Sequence, residues 1–206
     1  MDDRYHKLKQ IRDEVLALKT SPLYQYRLKQ GYYPVIGQGN HRAKLILIGE
    51  APGAEEAKTG RPFIGQSGKI LDKLLDFVHI LRSDIYITNI VKDRPPGNRA
   101  PTSQEINIYS PFISRQIEII KPDIVATLGR ISMDWFWAKY GQGPLGGISQ
   151  IHGQKYDLNI NLNPTILVPL YHPAVALYDQ SKFAAMQVDF KKLADLFLPK
   201  QITNNS

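Results

Sequence analysis

Three polar residues stand at or near the ends of three apolar runs. Glu50 follows Lys44-Leu45-Ile46-Leu47-Ile48-Gly49, Asn89 lies in Asp84-Ile85-Tyr86-Ile87-Thr88-Asn89-Ile90-Val91, and His172 follows Thr165-Ile166-Leu167-Val168-Pro169-Leu170-Tyr171. A carboxylate can steer water or a developing cation, an amide can read a hydrogen-bonding edge, and an imidazole can donate to a leaving group. Apolar runs of this length read as buried strands. If they lie parallel, their carboxyl ends share one edge, where open α/β sheets take their ligands. Glycines and prolines in Gly49-Glu50-Ala51-Pro52-Gly53 and Gly60-Arg61-Pro62-Phe63-Ile64-Gly65 turn the chain there and hold one aromatic, Phe63, before a helix opens near Ser67. Each residue also has a plainer reading. Glu50 can be a solvated loop carboxylate, Asn89 can satisfy backbone groups at a strand end, and a histidine alone is more often structural. Matching positions beside Phe63 favour a shared site.

The elements that must position these residues follow from hydrophobic periodicity. Leu8, Ile11, Val15 and Leu18 predict an amphipathic helix over residues 3–19, stopped by Ser21-Pro22 and followed by a polar, tyrosine-rich connection to Gly37-Gln38-Gly39-Asn40. Ile70, Leu71, Leu74, Leu75 and Val78 predict a helix over 67–81. Thr102 and Glu105 have capping-box spacing. Proline is poorly tolerated inside a helix, so Ser110-Pro111 is expected to begin a separate segment ending near Ile120. Asp123-Ile124-Val125-Ala126-Thr127-Leu128 is a further strand, and Gly129-Arg130 leads into a helix whose Trp135, Phe136 and Trp137 read as packing rather than base-stacking platforms. Residues 141–163 suggest a loop with a small hairpin, and Phe183, Met186, Phe190, Leu193 and Phe197 mark a last helix over 181–198. Alternating strands and helices predict an α/β fold: a single three-layer domain over residues 1–200, its central, mainly parallel four-stranded sheet flanked by helices, with a polar tail at 201–206.

Composition narrows the chemistry. Lysine and arginine outnumber aspartate and glutamate by 26 to 19 in a chain of 206 residues, which favours a polyanionic partner, nucleic acid first. The chain has no cysteine, which excludes a disulfide, a thiolate nucleophile and a cysteine-ligated metal or cluster. No apolar run approaches the ~20 residues of a membrane span, and Met-Asp-Asp-Arg-Tyr-His is no signal peptide, so the cytoplasm is expected. Two nucleotide motifs fail. Gly60 to Ser67 has P-loop glycine spacing with Gln66 in place of the lysine, and Gly141-Gln142-Gly143-Pro144-Leu145-Gly146 follows a helix rather than a strand.

Three stretches, in order, carry a resemblance. Gly49-Glu50-Ala51-Pro52-Gly53 with Gly60-Arg61-Pro62-Phe63-Ile64-Gly65, then Thr88-Asn89-Ile90-Val91-Lys92 with Arg94-Pro95-Pro96-Gly97-Asn98-Arg99, then Tyr171-His172-Pro173-Ala174, closely resemble the family-four uracil-DNA glycosylases. Lys121-Pro122-Asp123 and Leu128-Gly129-Arg130 resemble them too, and the match runs from about residue 18 to 195. The resemblance implies cleavage of the N-glycosidic bond of deoxyuridine in DNA, leaving an abasic site. It implies that Phe63 stacks on the flipped uracil, that Asn89 binds its pairing edge, and that His172 donates to the oxygen that gains charge. Ala51 would join Phe63 and Asn89 in binding the base, and Glu50 with the adjacent backbone would position water or stabilise the cationic sugar. Ser67, Lys69, Lys92, Arg94, Pro95, Pro96 and Arg99 would hold the DNA backbone. A monomer acting on uracil-containing DNA, nucleoid-associated through that DNA, is expected, with no membrane and no cofactor. The last expectation departs from the family, which ligates a four-iron cluster with four cysteines, at positions that here hold Leu18, Ser21, Asp93 and Tyr109. Two alternatives share these motifs: the same fold acting on another deaminated base such as hypoxanthine, and a DNA-binding protein without catalysis.

Overall fold

A computed structural model describes residues 3–198; the polar tail at 201–206 lies outside the described residues. Nine α-helices and six strands are found among them. In chain order the strands are β1 (Gln38–Gly39), β2 (Leu45–Gly49), β3 (Tyr86–Asn89), β4 (Ile124–Leu128), β5 (Tyr156–Ile160) and β6 (Asn163–Leu170). They form one sheet in the order β1-β3-β2-β4-β6-β5, with β3, β2, β4 and β6 parallel and the two outer strands antiparallel. The predicted four-stranded parallel sheet is therefore the centre of a six-stranded mixed one. The two added strands escaped the periodicity reading because β1 spans only two residues and β5 lies in the glycine-rich 141–163 stretch. The hairpin predicted there exists, but its second arm is β6 itself.

Side chains alternate across the sheet as a strand requires. Leu45, Leu47, Ala126, Leu128, Val168 and Leu170 face α4 (Gln66–Phe77) and α9 (Ser181–Phe197), packing on Leu71, Leu74, Phe190 and Leu193. Ile46, Ile48, Val125 and Leu167 face the other way, onto α1 (Asp3–Leu16), α5 (Ser103–Ile120) and α6 (Arg130–Tyr140), through Ile11, Val15, Ile113, Ile117 and Phe136. Each fully buried aliphatic side chain contributes roughly 1.5–3 kcal/mol, which is why the two-sided central strands read as continuous apolar runs.

Four short helices complete the chain: α2 (Tyr24–Gln30), α3 (Ala54–Thr59), α7 (Ile148–Ile151) and α8 (Val175–Tyr178). The connection read as irregular thus contains α2, which Gly31 ends in a left-handed conformation. The first helix stops at Leu16, short of Ser21-Pro22. Pro111 does not divide its region. α5 runs through it, and the Asn107 carbonyl left without a Pro111 N–H accepts from the Ser110 hydroxyl at 3.2 Å, on an exposed face.

The capping box is present. Thr102 Oγ1 accepts from Glu105 N at 3.2 Å, and Glu105 Oε2 accepts from Thr102 N at 2.8 Å. Thr102→Ala is expected to lower unfolding free energy by about 1 kcal/mol in urea titration, a loss of roughly 2–4 °C in Tm.

Candidate active site

The carboxyl ends of the four parallel strands meet where strand order reverses, since the chain passes from β2 to β3 on one side and then to β4 on the other. A cavity of about 220 Å³ opens there, lined in part by Glu50, Phe63, Asn89 and His172, with Glu56 and Asn98 beside them. The three strand-end residues and the aromatic are thus brought together, as their positions in sequence imply. Ala51, Ser67, Pro95 and Arg99 also line the cavity.

Asn89 is buried at the end of β3, and its Oδ1 has no hydrogen-bond partner within the protein. A buried acceptor left unpaired is costly, so an unsatisfied oxygen facing a cavity calls for a donor from a ligand. A Cβ on Gly49 would lie 2.4 Å from Asn89 Oδ1 and 2.6 Å from Phe63 Cζ, so only glycine lets the amide and the ring share the pocket floor. Beyond Gly49, the strand ends stay joined by Ile90 N–H to the Gly49 carbonyl and Val91 N–H to the Glu50 carbonyl, each 3.0 Å.

Phe63 has φ of +50°, which a bulky residue adopts only when its surroundings impose it. Arg82 donates to the Phe63 carbonyl at 2.9 Å and to the Pro62 carbonyl at 2.8 Å, and is itself paired with Asp72 at 2.6 Å. On the far side, buried Glu56 accepts from Ile64 N at 2.9 Å and Gly65 N at 2.8 Å through one oxygen. Gly68 completes the seat, because a Cβ there would lie 2.0 Å from the Phe63 carbonyl oxygen. Sequence reasoning missed Arg82 and Glu56. Neither stands at a strand end, and nothing in the spacing links Arg82 to a loop some 20 residues earlier.

The Phe63 and His172 rings are 5.8 Å apart at 38°. His172 Nδ1 accepts from Ala174 N at 3.1 Å, which leaves the ring hydrogen on Nε2. Burial lowers the His172 pKa from 6.5 to about 4, against a smaller opposing pull from Glu56, so the ring is neutral at neutral pH. Half-buried Glu50 is shifted the other way, its pKa raised by burial and partly held back by the charge of Arg130.

The rim divides the remaining predicted residues. Lys69 is exposed, Arg94 donates to Asn98 Oδ1 at 3.0 Å, and Arg99 holds Glu105 in a two-point pair at 2.8 and 2.6 Å. Pro95 precedes and Pro96 opens a short turn over Pro96–Asn98. Lys92 is a correction. It is fully buried, its Nζ bonded to Thr88 Oγ1 at 2.8 Å, the Asn89 carbonyl at 2.7 Å and Gln116 Oε1 at 2.6 Å, and it cannot reach a DNA backbone from there. Burial without a carboxylate partner pulls its pKa well below the usual lysine value.

The arrangement can take a small flat ring against Phe63, read its edge with Asn89, and stabilise negative charge with a neutral N–H. Residues 36–196 match the family described as the Uracil DNA glycosylase superfamily. A type-4 uracil-DNA glycosylase of Sulfurisphaera tokodaii is 39% identical over 198 residues, 95% of this chain and 88% of that protein. Another from Saccharolobus solfataricus is 39% identical over 194 residues, covering 94% and 88%. One from Archaeoglobus fulgidus is 34% identical over 190 residues, covering 92% and 93%.

The His172 shift has a testable sign. Between pH 6.5 and about 4 the unfolded imidazole takes up a proton that the folded one refuses, so this residue makes stability fall as pH falls through that window. His172→Gln is expected to flatten that part of the stability curve relative to the parent protein, measured by urea unfolding from pH 4 to 7. In the parent, imidazole NMR is expected to report the Nε2–H tautomer with a midpoint near pH 4.

Proposed function

The chain belongs to the Uracil DNA glycosylase superfamily, and from that premise we propose that it hydrolyses the N-glycosidic bond of deoxyuridine in DNA, releasing uracil and leaving an abasic site for repair. The observation that carries this reading is the buried, unpartnered Asn89 Oδ1 beside the Phe63 ring. Uracil offers that oxygen its N3–H, while O4 next to it accepts from the amide nitrogen. A pocket of about 220 Å³ suits a single ring, below the roughly 300 Å³ at which drug-sized sites begin.

A base inside a duplex is out of reach, so the nucleotide must be extruded into the pocket, where Phe63 replaces lost stacking. The C1′–N1 bond breaks with its electron pair moving onto the base. As uracil O2 gains negative charge, the Nε2–H of neutral His172 donates to it, an interaction stronger in the transition state than in the bound substrate. The sugar becomes oxocarbenium-like, and the carboxylate of Glu50, which lines the cavity, would stabilise that cation and orient water. Water adds to C1′, giving its proton to Glu50 and then to solvent, from which the uracil anion takes up a proton at N1. Backbone groups at Ala51 assist in holding the water. Ser67, Lys69, Arg94, Pro95, Pro96 and Arg99 supply the rim on which the flanking phosphates rest, a largely sequence-independent grip. The protein would act as a monomer within one unit spanning residues 1–200, in the cytoplasm and on nucleoid DNA. No helix among the described residues is long and apolar enough to cross a membrane.

Single-turnover assays on oligonucleotides with one deoxyuridine test the reading. Uracil release is expected from the parent protein, with deoxyinosine and G·T substrates silent. His172→Ala and Asn89→Ala should each slow release by about 10²–10³-fold while DNA binding persists. Unchanged release by His172→Ala would overturn the assignment.

A further inference from the structure

The family's cluster needs thiolates, and the donors at the matching positions do not supply them. Leu18 is a partly buried hydrocarbon packed on the core. Ser21, Asp93 and Tyr109 converge instead on one another. Ser21 Oγ and Tyr109 Oη are 2.8 Å apart, Tyr109 Oη donates to Asp93 Oδ2 at 2.6 Å, and Arg27 Nη1 donates to both Asp93 oxygens at 3.1 and 3.0 Å. All four side chains are buried. Burial, then the neighbouring Asp93 carboxylate, raises the Tyr109 pKa, so its oxygen stays a protonated phenol and a poor metal ligand. Both carboxylate oxygens are taken. These residues do not fit an iron–sulfur cluster.

What they do is join four parts of the chain. Arg27, in α2, also donates to the carbonyls of Val15 at 3.1 Å and Leu16 at 2.7 Å, at the C-terminal end of α1. Ser21 Oγ accepts from Leu23 N at 3.1 Å, fixing the α1–α2 turn. Tyr109 brings in α5, and Asp93 the segment that leaves β3. Asp93 is followed at once by Arg94 and Pro95, and the pocket wall continues to Asn98 and Arg99.

We infer that the buried Arg27–Asp93–Tyr109–Ser21 network stands in the cluster's place, pinning the segment after β3 and thereby the rim of the base pocket, in a glycosylase that needs no iron. The pinning of this segment does not depend on the substrate; that the enzyme needs no iron rests on the function proposed above.

Two arms test it. In the first, the parent protein is treated anaerobically with ferrous iron and sulfide, then assayed for bound iron, Tm and uracil release. Substoichiometric iron with Tm and release unchanged is expected; stoichiometric iron that raises Tm would overturn the inference. In the second, Asp93→Asn leaves Arg27 buried without its counter-charge, and Tyr109→Phe removes one hydrogen bond while keeping the ion pair. Asp93→Asn is expected to lower Tm by about 10 °C. At temperatures well below either Tm, both variants should exchange the amide hydrogens of Arg94, Gly97, Asn98 and Arg99 faster than the parent. Asp93→Asn should also slow single-turnover release by about 10–10²-fold, as displaced rim groups do. If Asp93→Asn does not fold, Tyr109→Phe carries the same readouts with smaller changes. Lower Tm with unchanged rim exchange would mean that the network only stabilises the fold, and would sink the positioning claim. A parent protein that releases no uracil would instead refute the function, leaving exchange and iron binding to judge the network.

Discussion

The pocket depends on how the chain leaves β3. Asn89 has to keep its amide oxygen free, so the following turn must be held firmly without lending that oxygen a donor. Two consecutive charged residues do this from different sides. Lys92 is drawn inward to the Asn89 carbonyl, Thr88 and Gln116, three oxygens that match the three hydrogens of an ammonium. None of the three is anionic, which is why burial dominates its pKa. Asp93 is drawn to Arg27 and Tyr109. A further tie, Val35 N–H to the Lys92 carbonyl at 2.7 Å, fixes the backbone between them. Asp93 could not be buried without Arg27 at tolerable cost, and Lys92 needs Gln116 to complete its acceptors, so the turn holds only while α2 and α5 are docked.

The opposite wall is built by a different device. Phe63 is held at positive φ by hydrogen bonds on both sides of its peptide unit, Arg82 on the carbonyls before and Glu56 on the amides after. Gly49 and Gly68 matter there through the volume they leave empty, since a methyl group on either would collide with the pocket. Phe63 and Asn89 are thus each held through the backbone, and the Asn89 oxygen is left without a partner in the protein. That is preorganisation in a concrete sense: the groups facing the ligand are those whose own bonding needs are left unmet.

Much of this was legible in the sequence, and the limits have physical causes. Glu50, Asn89 and His172 could be placed at one edge because strand ends in a parallel sheet coincide, whatever the intervening chain does. Phe63 could be placed because glycine and proline spacing marks a turn. Lys92 was misread because its neighbours Arg94 and Arg99 face the rim, while a lysine three residues beyond Asn89 reaches back to the Asn89 carbonyl instead. No local pattern separates a buried lysine from an exposed one when the side chain that completes its acceptors, Gln116, comes from α5. Pro111 was misread because the rule against proline in helices is a rule about an orphaned carbonyl, and Ser110 supplies that carbonyl with a donor. The network at Ser21, Asp93 and Tyr109 could be flagged only as missing ligands. That these positions find one another through Arg27 is a fact of three dimensions.

A single cause sets the protonation states on both sides of the pocket. Removing water lowers the pKa of His172 and raises that of Glu50, since in each case it disfavours the charged form. For histidine this yields a neutral ring with its hydrogen on Nε2, which suits the donor role proposed for it, toward charge that appears on the departing base. For the carboxylate it yields a stronger base, while the nearby Arg130 opposes the shift and favours the ionised form. A more open site would relax both shifts together: His172 would titrate closer to neutrality, and Glu50 would be a weaker proton acceptor. The tightness of the pocket, and hence the firmness of the turn after β3 and of the Phe63 seat, belongs to the chemistry as much as to recognition of the base.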